Sequence, residues 1–173
     1  MKLKKVINLS KNIVLITIMS FIIIILAGNN IISAIEWNKY ESDHFIVFYP
    51  EDYDFQAKET IFHLVKERKN ISKLTDNKLT NKIAVIVEDR GQFSNGYADS
   101  INNKIGIFTY PPASYSSLSA YENWYKFLTV HELTHIGHLT NTSGLSSFFQ
   151  YIYGNLATPN LHSPLWLIEG TAV

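Results

Sequence analysis

The run from Trp124 to Leu139 constrains this chain more than any other stretch. Trp124, Phe127, Leu128, Val130, Leu133 and Ile136 recur at helical spacing, which predicts a largely buried helix. Into that helix the sequence sets His131, Glu132 and His135. Residues four apart lie on one helix face, so the two His can offer imidazole nitrogens to a single metal ion, with Glu132 beside them to polarise a water. A buried helix seldom carries this trio unless its members are paired or ligate a cation. Catalytic zinc needs three protein ligands and one open water position, and it lowers the pKa of that water toward neutrality.

One candidate for the third ligand stands out. Ser163-Pro164 reads as a helix start, Ser as cap and Pro at the first helical position, before Leu165, Trp166, Leu167, Ile168, Glu169, Gly170, Thr171 and Ala172. Glu169 is the only acid in that apolar run and is costly to bury unless it is paired or ligates a cation. Gly170 beside it would let two helices approach closely. His138, near the same face as His135, reads as a helix-end His, with support of the metal site or direct ligation as alternatives.

His131-Glu132-Leu133-Thr134-His135 followed by Trp166-Leu167-Ile168-Glu169-Gly170-Thr171-Ala172 resembles the gluzincin zinc metallopeptidases, in particular the bacterial peptidase MA-like group. The resemblance runs from about His44 to the last residue. It implies a zincin-like domain with zinc (Zn2+) on His131, His135 and Glu169, with Glu132 as general base, acting on a peptide or protein substrate. Resembling proteins continue past this point, so the chain is expected to be a fragment, incomplete at the C-terminus. Tyr97, Tyr121, Tyr151, Tyr153 and His162 are open candidates for supporting the oxyanion. A competing reading is an exported zincin-scaffold binding or surface protein that does no chemistry.

The N-terminus carries Lys2, Lys4, Lys5 and Lys11 ahead of an apolar run from Ile13 to Ala27. This is the pattern of an export signal or N-terminal membrane anchor over 1–34. Gly28-Asn29-Asn30 interrupts the run before the roughly 20 residues that span a bilayer, and Ser33-Ala34 offers a cleavage point. The remaining domain, 35–173, is then extracytoplasmic, either secreted or held at a membrane by that segment. It keeps 11 basic against 15 acidic residues, a mildly acidic balance that gives no support to nucleic-acid binding. The chain has no Cys, so its core alone must hold it.

The rest reads as an α+β fold, a small mixed sheet packed on the metal helix and the glutamate helix. Strands are expected at His44–Tyr49, stopped by Pro50, at Lys82–Glu88, and at Lys104–Tyr110, ended by Pro111-Pro112. A long amphipathic helix is expected from about Asp52 to Leu74, with His63 as a packed or surface residue. Asp89 to Asn103 reads as turn chemistry. Ile105, Gly106 and Ile107 are either the sheet edge that accepts an extended substrate or an interior strand. The aromatics Phe148, Phe149, Tyr151 and Tyr153 suggest a short helix that is core, lines the cleft or faces a membrane. Asn70 and Asn141 fit glycosylation sequons.

Overall fold

The computed structural model describes residues 14–23 and 36–172. The basic N-terminal region, the Gly28-Asn29-Asn30 break and the Ser33-Ala34 cleavage point lie outside the described residues. The chain divides into two compact units, Met1–Ile35 and Glu36–Val173. In the first, residues 14–23 are helical. Among the described residues, no helix is long and apolar enough to cross a membrane.

The second unit is a mixed five-stranded sheet with helices. Its strands are β1 (Trp37–Glu41), β2 (Phe45–Pro50), β3 (Ile83–Glu88), β4 (Gly96–Asp99) and β5 (Lys104–Phe108), in the order β1-β2-β3-β5-β4. β2, β3 and β5 run parallel, while β1 and β4 close the two edges antiparallel. Helix α1 (Asp54–Leu74) provides the crossover from β2 to β3. Along β2 and β3 every second residue is buried, the mark of a sheet covered on one face. Phe45, Val47, Ile83, Val85, Val87, Ile105 and Ile107 form that buried layer. Packed with it in the core are Ala57, Leu64 and Ile71 of α1 and Leu128, Leu133 and Ile136 of helix α2 (Trp124–Leu139).

Several elements differ from the sequence expectations. The 89–103 segment is not all turn, because β4 lies inside it. Ile105, Gly106 and Ile107 are interior, since β5 is hydrogen-bonded to β3 on one side and β4 on the other; the edge is β4. The phase of α1 is unexpected too. Thr60 and His63 are buried, whereas Phe55, Phe62, Val65 and Leu74 are exposed.

Helix α3 (Leu145–Tyr153) docks by its polar side. Gln150 accepts a hydrogen bond from Thr142 and donates to the Thr140 carbonyl and to Asn155. Leu145, Phe148, Phe149, Ile152 and Tyr153 face outward, so the aromatics here are not core. The last helix, α4 (Leu165–Thr171), is preceded by Pro164 as its N-cap, and Ser163 does not cap it. It rests on α2. A Cβ added at Gly170 would meet nothing within 4 Å among the described residues, so the expected close approach does not occur there. It occurs at Gly137, where an added Cβ would meet Thr75 Oγ1 at 2.6 Å, letting the end of α1 pack against α2. The Asn141 sequon has its amide nitrogen donating to the Thr75 carbonyl, 2.8 Å.

Candidate metal centre

Helix α2 is fixed at both ends, which sets the rotation of its polar trio. Asn123 caps the N-terminus, its side-chain oxygen accepting from Lys126 N at 2.8 Å. At the far end, Asn77 donates to the Gly137 carbonyl (2.9 Å) and Asn160 to the His138 carbonyl (2.8 Å), pairing carbonyls the helix itself leaves free. His63 packs near the capped end, its Nε2 3.5 Å from both Asn123 Nδ2 and Glu59 Oε2. It has no part in the cleft.

His131 and His135 turn their Nε2 atoms toward each other, 3.0 Å apart. Glu169 Oε2 stands 3.4 Å from the first and 3.6 Å from the second. The other face of His131 settles its tautomer. Its Nδ1 lies 3.1 Å from the Ala172 carbonyl oxygen, which can only accept, so Nδ1 carries the hydrogen and a neutral ring points its Nε2 lone pair into the cleft. Burial, then the neighbouring His131, hold His135 below its usual pKa, which favours the neutral, ligating form. His135 Nδ1 is buried without a hydrogen-bond partner. Two imidazole lone pairs this close repel unless a proton or a cation lies between them.

The spacing of the three atoms tests the fit to a metal. Four ligands at about 2.0–2.1 Å in a tetrahedron are separated by about 3.4 Å; the three separations here are 3.0, 3.4 and 3.6 Å. Two imidazoles and a carboxylate are a donor set that zinc takes, leaving one position open. His131, His135 and Glu169 can therefore hold a divalent cation. Glu169 is not the buried acid expected of an apolar run. Its side chain is half exposed, and only the carboxylate tip is drawn to the His pair.

Glu132 lies on the inner side of the same cleft, whose walls include Asn95, Gly96, Ala98 and Leu139. It is 4 % exposed, and no described side chain donates to it. Burial, then the Glu169 carboxylate, push its pKa up to about 8. Gly96 makes room for it. A Cβ there would meet the Gly106 carbonyl oxygen at 2.8 Å, Leu128 at 3.0 Å and Glu132 Oε1 at 3.1 Å. Gly96→Ala is accordingly expected to cost about 2 kcal/mol of stability by overpacking and to lower any activity of the cleft. Denaturant unfolding beside a rate assay checks both, and a variant of parental stability would show that β4 moves aside freely.

The five oxyanion candidates fare poorly. Tyr97 borders the cleft, but its ring crosses Gly106 and its hydroxyl donates to Glu88 Oε1, 2.7 Å. Tyr121 stacks on Phe127 at a centroid distance of 3.8 Å. Tyr151, Tyr153 and His162 are exposed and do not line the cleft. Sequence reasoning missed two contributors, Gly96 on an unexpected strand and the Ala172 carbonyl, and it read His138, whose Nδ1 lies 3.1 Å from Thr171 Oγ1, chiefly as a helix-end His. The Ala at the end of the Trp-x-x-Glu-Gly-x-Ala pattern was the available signal for the second. Comparison with protein-family models, with curated proteins and with solved structures returns no match.

Proposed function

We propose that this chain is a zinc-dependent peptide hydrolase of the gluzincin kind, with His131, His135 and Glu169 as ligands and Glu132 as general base. The observation that carries the reading is the near-tetrahedral spacing of those three ligand atoms beside a buried carboxyl in an open cleft. Zinc held there would polarise a scissile carbonyl and acidify a water. Glu132 accepts a proton from that water as its oxygen bonds to the carbonyl carbon, then delivers the proton to the amine as the C–N bond breaks. This role needs Glu132 ionised, and a dication next to it lowers its pKa from the raised metal-free value.

Strand β4 supports a peptide as the substrate. It is a sheet edge, and Asn95, Gly96, Tyr97 and Ala98 border the cleft alongside Glu132. An extended chain pairing along that edge would run past the His pair, with backbone hydrogen bonds setting its register. The apolar run at Ile13–Ala27 supports an exported enzyme, secreted or membrane-anchored.

The test is metal content by mass spectrometry on the purified chain beside Glu169→Ala. We expect about one zinc per chain, bound at least about 100-fold more weakly in the variant, since even outer partners of zinc ligands are worth 10–100-fold. A parent that takes up no zinc would sink the reading.

A further inference from the structure

We infer that His138 and Thr171 are positioning residues that hold α4 so that Glu169 faces the His pair before any cation arrives. The inference rests on the zinc site proposed above and adds to it the device that assembles its third ligand.

The need for such a device follows from α4 itself. It is seven residues long and has no buried residue, and a helix that short has little stability of its own. Leu165 and Trp166 are 70 % and 74 % exposed, so the apolar side chains of its first turn do little to dock it. What ties its last turn to α2 is polar. His138 Nδ1 lies 3.1 Å from Thr171 Oγ1, and that hydroxyl is 2.8 Å from the Ile168 carbonyl. A hydroxyl has one hydrogen. With it given to Ile168, the first contact is an Nδ1–H of His138 donating to Thr171.

A second tie is the His131 Nδ1–H to the Ala172 carbonyl, 3.1 Å. Ala172 is itself buried. His131 and His138 are seven positions apart, two helical turns, and so share one face of α2. Residues 171 and 172 are thus gripped, and the Thr171 hydroxyl passes the hold back to the Ile168 carbonyl, one residue before Glu169. His138 is in turn held in place, because Asn160 donates to its carbonyl at 2.8 Å. A ligand from a separate, half-exposed helix binds weakly if it must be ordered at the moment of binding, and pre-ordering removes that cost.

The test uses the full chain and zinc alone, titrated against a chromophoric chelator, with Co2+ absorption as a second readout of Glu169 ligation. Thr171→Val keeps the shape and loses the hydroxyl; His138→Leu loses the donor. Each is expected to bind zinc 10–100-fold more weakly and to change the Co2+ spectrum. Thr171→Ser, which keeps the hydroxyl, and His138→Asn, whose amide nitrogen falls near the imidazole Nδ1 position, are expected to restore binding. In a Glu169→Ala background Thr171→Val and His138→Leu should have no further effect, because the clasp acts through Glu169. Equal weakening in both backgrounds would mean a general effect on folding and overturn the inference. So would variants that bind like the parent. A parent without zinc affinity would overturn the metal site and the clasp together, whereas a zinc-binding parent with indifferent variants removes the clasp alone.

Discussion

Glu132→Gln is expected to lower peptide hydrolysis by about a thousandfold while leaving zinc bound. A positioned general base contributes typically 10²–10⁴ in rate, and a carboxamide of the same shape has no basic oxygen to take the proton. Zinc binding should persist because Glu132 is not among the three atoms that converge on the cation position. The substitution is also isosteric at a site only 4 % exposed, so packing around Leu128 and Gly96 is preserved. Turnover of an internally quenched peptide, measured beside zinc stoichiometry, separates the two effects. Hydrolysis at the parental rate would show that another group serves as base. Loss of zinc together with activity would place Glu132 among the ligands.

Helix α2 was legible because two independent signals agreed along it, apolar spacing and the His-Glu-x-x-His string; the Asn123 cap emerged only in the structure. Strand β2 was legible as a β-branched and aromatic run, β3 as a short continuous apolar run, and β5 by its alternation. β1 was not, for its residues Trp37 to Glu41 are mostly exposed and become a strand only through pairing with β2. β4 was hidden by its own composition. Gly96 and Asp99 read as turn residues, yet Gly96 is there to clear the Glu132 carboxyl, and Asp99 accepts from Asn102 N at 3.0 Å to shape the turn into β5.

Whether Ile105 to Ile107 forms an edge could not be read locally, because strand order is a property of the whole sheet. Gly106 illustrates this. Its lack of a side chain admits the Tyr97 ring from the neighbouring strand, where a Cβ would fall 2.1 Å from a ring carbon. Glu169 was found by a burial argument that its exposed side chain does not obey. What ties it to the site is the pair that follows it, since Thr171 meets His138 and the Ala172 carbonyl meets His131.

Without metal, Glu132→Gln is expected to be the more stable protein at alkaline pH, with the difference vanishing in mild acid. Burial, then Glu169, raise the Glu132 carboxyl from its ordinary 4.5 to about 8, so the fold prefers it protonated. Below about 4.5 folded and unfolded chains both hold the proton and the site costs nothing. Between 4.5 and about 8 the unfolded chain ionises first, so stability falls as pH rises; above 8 the full cost is in place. At 1.36 kcal/mol per pH unit, reduced for water that reaches the cleft, the cost is on the order of 3 kcal/mol. That is a large share of the 5–15 kcal/mol typical of a domain.

Gln has no such titration. His135, whose lowered pKa removes stability in the opposite direction as pH falls, is common to both proteins and drops out of the comparison. Denaturant unfolding at about pH 5 and pH 9 with a chelator present measures the gap, and parallel pH slopes for the two proteins would show that the fold does not hold Glu132 protonated. Added zinc should close the gap, because a dication near the carboxylate offsets the cost of its burial. The carboxyl that the proposed hydrolysis would require is then one the metal-free fold would be more stable without, as expected where a site is held in place for chemistry rather than for stability.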